Sequence, residues 1–319
     1  MSNEGSPDKK AVALIAGPTA SGKSDLAVTL ARMVEQRGGK AVVINADSAQ
    51  VYADLSVLSA RPSEEEMQGV PHRLFGAWDG AIACSAADWA RAAKDEIAEA
   101  HSAGALPILV GGTGLYLRTL LDGIAPIPPI DPAVRDAVRA MPVAQTYPAL
   151  QTEDPERAAR LSPNDTTRVA RALEVVRSTG KPMAHWQQHL VGGIGQTITL
   201  FPTVLLPERE ELYRRCDLRF ALMLDRGAVA EVEALLTRHL HPDLPVMRAI
   251  GVPEIAGWLR GDWEREEAVA RGAQSTRNYA KRQYTWFRNQ PPENWPRARL
   301  ESSNLPSLFE TLFHHLRLT

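Results

Sequence analysis

The apolar and polar positions of the first third of the chain switch repeatedly between two periods. Ala11-Val12-Ala13-Leu14-Ile15-Ala16 is a continuous apolar, partly β-branched run, the pattern of a strand buried on both faces. After it, Leu26, Leu30 and Met33 recur at helical spacing. Lys40-Ala41-Val42-Val43-Ile44-Asn45 predicts a second strand. Residues 88–101 predict an amphipathic helix with Trp89, Ala93, Ile97 and Ala100 on one face, and Leu106–Val110 a third strand. Such alternation implies a parallel sheet covered by helices on both sides. The pattern changes at Ile124–Pro132, where Pro126, Pro128, Pro129 and Pro132 forbid a regular helix and mark a boundary. From there to about residue 200 the signals are helical. Ser162-Pro163-Asn164-Asp165 reads as an N-cap, Gly180 as a helix stop, and Val191–Gly195 as a flexible return loop. A strand is expected at Thr197–Phe201, with Val204–Leu206 after it. Pro207 then opens a helix that stacks Leu212, Cys216, Phe220 and Met223 on one face until Gly227. Another helix covers about 228–240, and the C-terminal third is helical.

Composition changes this picture little. The 319 residues are 44% hydrophobic and 23% charged, values of an ordinary globular protein. A formal net charge of −2 argues against nucleic-acid binding by bulk charge but leaves room for a local basic groove. Two cysteines far apart, Cys84 and Cys216, read as buried free thiols rather than a disulfide framework or a zinc site. No apolar run reaches a membrane span, and residues 1–10 are polar without a signal-peptide pattern. They read as a disordered tail, with cytoplasmic residence as the default and no membrane partner.

The candidate chemistry starts between the first strand and the first helix. Gly17-Pro18-Thr19-Ala20-Ser21-Gly22-Lys23-Ser24 fits G-x-x-x-x-G-K-[ST], a phosphate-binding loop in the strand–loop–helix setting that gives the pattern meaning. The glycines let the backbone wrap an anion, and N–H groups at the helix start point at its oxygens. Lys23 adds a point charge, and the Ser24 hydroxyl can ligate Mg²⁺. Alone, the loop suggests ATP or GTP. Asp47 follows the second strand, where open α/β sheets bind ligands, and could be a metal ligand, a general base or simply a helix N-cap. Gly111-Gly112-Thr113-Gly114 would bring a second glycine-rich strand end, with Thr113, to the same edge.

Arg219 could offer a planar fork to a phosphate, against the alternative of a solvated face paired with Glu210 or Asp217. Arg168 and Arg171 share a helix face opposite Val169, Leu173 and Val176. That face suits phosphate-backbone contacts or plain solvation. Arg277, Lys281, Tyr284 and Arg288, with Tyr279, Trp286 and Phe287, suit either single-stranded nucleic acid or an aromatic helix docked on the core. His185 and His189 are one turn apart but lack a third ligand, so a surface helix is expected rather than zinc. There is no G-x-S-x-G elbow and no N-K-x-D.

Several stretches together resemble one family, the bacterial-type tRNA dimethylallyltransferases. These are 17–24, Asp47-Ser48-Ala49-Gln50-Val51-Tyr52, Pro71–Leu74, Leu109–Tyr116, Asn164-Asp165 with Arg168, and Arg171–Val175. Gly180–Pro182, Arg219-Phe220, Ala249–Gly251 and Tyr279–Arg288 follow in the family's order, so the likeness covers roughly 12–290. The resemblance implies a P-loop NTPase-like parallel α/β core (11–127 and 201–319, with a helical C-terminal part) and an inserted small all-helical domain (128–200). It implies transfer of a dimethylallyl group from dimethylallyl diphosphate to N6 of adenosine 37 in tRNA, with Mg²⁺, by a monomer that grips the anticodon stem-loop.

On the matching positions, Asp47 would be the general base, and Thr19 and Arg219 would join it in catalysis. Residues 17–24 with Arg219 would hold the diphosphate. Ser48, Ala49 and Gln50 would handle the adenine. Thr113, Arg135, Thr167, Arg168, Val169, Ala170, Arg171, Arg248, Gly251 and Lys281 would touch tRNA. Ser24 stands where threonine is commoner, Arg61 where lysine is usual, and Val252-Pro253 where a tyrosine-containing pair is usual. A P-loop small-molecule or nucleoside kinase, and a nucleotide-dependent RNA-binding regulator without chemistry, are the alternatives.

Overall fold

A computed structural model describes residues 10–300 and 304–318. Residues 1–9, nearly all of the expected tail, lie outside the described residues, and Lys10 already belongs to the first strand. The N-terminal part runs β1 (Lys10–Ala16), α1 (Lys23–Gln36), β2 (Lys40–Asn45), α2 (Glu64–Met67), β3 (His72–Arg73), α3 (Ala86–Ser102), β4 (Ala105–Gly111) and α4 (Gly114–Leu121). Next come β5 (Gly123–Ile124), α5 (Pro132–Ala140), α6 (Val143–Glu153), α7 (Pro155–Ala159), α8 (Thr166–Thr179), α9 (Met183–Gln187) and β6 (Val191–Gly192). The chain then continues through β7 (Ile198–Leu205), α10 (Arg209–Met223), α11 (Val229–Thr237), α12 (Val252–Arg260), α13 (Arg265–Asn289) and β8 (Arg297–Ala298).

The main sheet has the order β3-β2-β4-β1-β7-β8, and every pairing is parallel. This is the P-loop NTPase-like α/β core. β1 and β4 lie at its centre, in register with Ala16 opposite Gly111, so their carboxyl ends reach one edge together. Continuous apolar runs form these central strands because both faces are covered: every residue of β1 after Lys10 is buried. α1 contributes Leu26, Leu30 and Val34 to that core. α3 buries Trp89, Ala93, Ile97 and Ala100, the face its spacing predicts, and a Ser85–Asp88 capping box starts it.

The chain divides into two compact units, residues 1–120 with 194–319, and residues 121–193. The second begins and ends earlier than the prolines mark, because β5 and β6 pair antiparallel (Gly123 with Gly192, Ile124 with Val191) and close its neck. Val191 and Gly192, expected in a flexible loop, are therefore strand. A methyl at Gly123 would meet the Val191 carbonyl oxygen at 2.4 Å, so the pairing requires glycine there. Inside this unit Val138, Leu150, Val169, Ala172 and Leu173 form a separate core. β7 runs unbroken through Pro202, and the helical run of α10 breaks at Gly227, whose φ of 105° is non-helical and kinks the chain into α11, where that glycine is expected to stop the helix. Among the described residues no helix is long and apolar enough to cross a membrane.

The strand ends are packed without room for side chains. A Cβ at Gly111 would lie 2.2 Å from the Ala46 backbone carbon and oxygen, and one at Gly112 would lie 2.8 Å from the Gly17 carbonyl oxygen. Gly111→Ala should therefore lower unfolding stability by about 1–3 kcal/mol, the range for overpacking. Urea denaturation should show a reduced midpoint at unchanged slope.

Candidate active site

The phosphate loop is built from strain and unpaired polarity. Ala20 and Gly22 have positive φ (61° and 84°), which curls the chain so that α1 starts at Lys23. The Gly17 N–H donates to the Gly111 carbonyl (3.3 Å), anchoring the loop to β4. The Ser21 Oγ is buried with no hydrogen-bond partner, an orphan at the base of the loop. Lys23 is 9% exposed, and its Nζ reaches only as far as the Pro18 carbonyl, at 3.3 Å. Burial pulls its pKa from 10.5 down to about 8, with Asp47 opposing that shift and Arg219 adding to it.

Asp47 is held at the end of β2 by Asn45. The Asn45 Oδ1 accepts the Asp47 N–H (2.8 Å), and the Asn45 Nδ2 donates to the Asp47 carbonyl (3.0 Å) and the Leu74 carbonyl (3.1 Å). The Asp47 Oδ1 accepts the Ala49 N–H at 3.0 Å, so it does serve as a local cap. It nevertheless acts electrostatically on both Lys23 and Arg219. The Arg219 Nη1 donates to the Thr19 Oγ1 (3.3 Å), while Asp217 pairs with Arg277 instead. Arg219 therefore faces the loop, and burial lowers its pKa against the pull of Asp47.

Two cavities of about 330 and 340 Å³ meet at this cluster. One is lined by the loop, residues 19–25, with Glu66 and Arg215. The other has an apolar and aromatic wall that includes Tyr52, Leu58, Tyr116, Phe220, Met223 and Tyr279. Thr19, Asp47, Ser59 and Arg219 line both and form the partition between them. A side that offers Lys23, Arg219 and the phosphate-loop backbone thus abuts a side suited to a flat or apolar group, with a carboxylate at the junction. That arrangement suits transfer of a group away from a phosphate to a nucleophile whose proton Asp47 can accept.

Thr19, residues 20–24, Asp47 and Arg219 are brought together, as the motifs lead one to expect. Ser48 and Ala49 line the second cavity, and the Ser48 N–H donates to the Thr113 Oγ1 at 2.9 Å. Gln50 does not point the same way. Its Nε2 donates to the Ser59 (3.1 Å) and Ala60 (2.8 Å) carbonyls, which makes it a brace for that loop. Arg248 lines the second cavity and pairs with Asp243. Gly251 caps α12, its N–H bonded to the Glu254 carboxylate (2.8 Å). Val252 is buried, so the Arg248–Pro253 stretch is not exposed along its whole length.

Lys281 is exposed on α13 and lines neither cavity. In the second unit Thr167 and Arg168 are exposed, Ala170 is half-buried, and Val169 is fully buried in that unit's core. Val169 is thereby excluded as an RNA contact. Arg171 and Arg139 both pair with the buried carboxylate of Glu174 (3.3 and 3.2 Å), whereas Arg168 pairs with Asp165 (3.1 Å). Arg135 has a buried Nε without a partner. His185 lies beside Lys181 and Trp186, and among the described residues no cluster of His, Cys, Asp or Glu could hold a metal by itself. Both cysteines are buried and free.

Motif reading passed over Asn45, named Tyr279 only as an aromatic beside a basic helix face, and matched Arg282 and Gln283 to the family without giving either a role. The Tyr279 hydroxyl sits by Thr113 and Ser48, and burial raises its pKa, with Asp47 adding to the effect. Arg282 lines the second cavity beside the Tyr279 ring. A signal existed for Gln283: it interrupts the otherwise apolar face formed by Ala280 and Phe287. A polar group in that position must find buried partners.

The family model described as IPP transferase matches residues 50–290. The chain is 65% identical over 308 residues to a tRNA dimethylallyltransferase of Erythrobacter litoralis, covering 97% of each chain. It is 69% identical over 267 residues to one of Novosphingobium aromaticivorans, covering 84% of this chain and 95% of the relative. Its structure is similar to that of the full-length tRNA isopentenylpyrophosphate transferase of Bacillus halodurans, with a TM-score of 0.68, 32% identity and 97% coverage of each chain. It also resembles a eukaryotic dimethylallyltransferase solved acting on tRNA, with a TM-score of 0.72, 30% identity, and 87% and 69% coverage of this and that chain.

The buried ammonium of Lys23 makes a stability test. Between pH 8 and 10.5 the folded protein releases this proton before the unfolded chain does. The unfolded state then binds more protons, and stability rises with pH. Lys23→Met lacks that dependence. It should exceed the wild type by about 3 kcal/mol at pH 7, and the gap should close as pH rises from 8 to 10.5, as followed by urea unfolding of both proteins.

Proposed function

This chain belongs to the IPP transferase family, and from that membership we infer its activity: it is a prenyltransferase that moves a dimethylallyl group to tRNA. The kinase and regulator readings fall with that assignment. We further take the donor to be dimethylallyl diphosphate and the acceptor to be N6 of adenosine 37, beside the anticodon. The products are N6-(dimethylallyl)adenosine and diphosphate. The observation that carries this reading is the pair of cavities meeting at Thr19, Asp47 and Arg219.

The diphosphate would lie in the loop cavity, where Lys23, Arg219 and the loop N–H groups balance its charge and the orphaned Ser21 hydroxyl gains a partner. The allylic carbon would sit at the partition, and the target adenine, drawn out of its stack, in the aromatic cavity. The allylic C–O bond breaks with its electron pair going to the diphosphate, the N6–C bond forms, and the N6 proton passes to the Asp47 carboxylate. Asn45 fixes that carboxylate through the backbone on which it is mounted.

Mg²⁺ fits the loop cavity by donor type. The Ser24 hydroxyl lines it together with Asp25 and Glu66, and burial and the neighbouring Glu66 both raise the Asp25 pKa, a cost that a cation nearby relieves. Few protein ligands, with phosphate oxygens and water completing the set, is the mode Mg²⁺ favours. Bound there, it would neutralise the leaving group. The exposed basic residues of the second unit, Arg168 foremost, suit phosphates of the anticodon stem-loop.

Incubation of undermodified tRNA with labelled dimethylallyl diphosphate, followed by nucleoside analysis, should place the label on N6 of one adenosine. Label on another atom or none at all would sink the reading. Asp47→Asn should lower kcat by about 10²–10⁴-fold and leave the tRNA Kd within a few-fold. Arg168→Ala should weaken tRNA binding and reduce the slope of log K against log salt by about 1, and a titration from low to moderate salt will show whether it does.

A further inference from the structure

Gln283 is 5% exposed on the inner face of α13. Its Oε1 accepts the Thr19 N–H at 2.8 Å, and its Nε2 donates to the Gly112 carbonyl at 2.8 Å. A Cβ at Gly112 would meet that Nε2 at 2.3 Å, so the amide fills the gap that the glycine leaves. One side chain from the last long helix thus ties the phosphate loop after β1 to the glycine turn after β4. Its neighbour Ala280 packs with Leu212 and Cys216 of α10, and Ala20 of the loop rests on that same cluster. Thr19 is consequently held twice, at its backbone N–H by α13 and at its hydroxyl by Arg219 of α10. The Thr19 N–H is thus committed to Gln283, while its hydroxyl stays at the loop cavity beside Arg219.

We propose that Gln283 is a positioning residue that sets the curvature of the phosphate loop and the placement of Thr19, and through them the affinity for the diphosphate of the donor. This rests on the reading of residues 17–24 as the diphosphate holder. Gln283 thereby differs in task from Lys281, two residues away and exposed to solvent. Replacing the amide by an apolar group of similar size keeps the packing but leaves a buried N–H and a buried carbonyl unpaired, which the loop can relieve only by shifting.

The test compares wild type, Gln283→Leu and the unbranched Gln283→Met, either variant sufficing if the other does not fold. Binding of inorganic diphosphate and of tRNA is measured separately, alongside steady-state kinetics. The expected result is a rise of about 10-fold or more in both the diphosphate Kd and the donor KM. The tRNA Kd and the KM for tRNA should stay within twofold.

Equal losses of diphosphate and tRNA affinity would show a general packing role and overturn the proposal. So would an unchanged donor KM. If the wild type itself does not bind diphosphate, the reading of the loop fails instead, and that outcome needs no variant to recognise.

Discussion

Three strand ends have to touch for this site to exist. Gly111 lies against the backbone at Ala46, and Gly112 lies against the carbonyl of Gly17. No side chain can stand between the carboxyl ends of β1, β2 and β4, so the phosphate loop, Asp47 and Thr113 are forced into one small volume. The hydrogen bonds that follow are consequences of that contact: Gly17 N–H to the Gly111 carbonyl, Thr113 N–H to the Ala46 carbonyl, and Ser48 N–H to the Thr113 hydroxyl. Parallel pairing supplies the alignment, since β1 and β4 end at the same level, with Ala16 opposite Gly111.

Close contact also concentrates charge. Lys23 and Arg219 are both buried enough to have lowered pKa values, and Asp47 opposes both shifts without cancelling them. Lys23 and Arg219 outnumber Asp47 at the junction itself, while Asp25 and Glu66 balance them farther along the loop cavity, and the loop adds oriented N–H dipoles. The aromatic cavity on the far side of Thr19 and Asp47 has a different character, so two chemically unlike environments meet across a single partition.

Most of the core was legible in the sequence because its signals are local. The apolar runs of β1, β2 and β4, the helical spacing of α3 and the eight residues of the loop each carry their reading within a short window. The partners that fix the site were harder to see, because they are long-range. Gln283 reaches Thr19 from a distant part of the chain, and nothing in the neighbourhood of either residue announces the other. A motif also marks a stretch without saying which of its side chains turn inward. Val169 lies in a segment matched to RNA contact yet is buried, and Gln50 follows Asp47, Ser48 and Ala49 yet braces Ser59 and Ala60. The β5–β6 pair escaped notice for a third reason: two residues per strand give no period to detect, and only the closing of the second unit reveals them.

The division of labour along the chain has a consequence for synthesis. A polypeptide that has left the ribosome only as far as the end of the second unit carries the phosphate loop and Asp47, but neither the guanidinium of Arg219 nor the amide of Gln283. Even β7, which flanks β1 on the side away from β4, is still unmade at that point. The nascent protein therefore presents a half-built sheet and a loop without its clamps. The loop acquires both of its hydrogen-bond partners only once α10 and α13 pack onto a core begun far upstream.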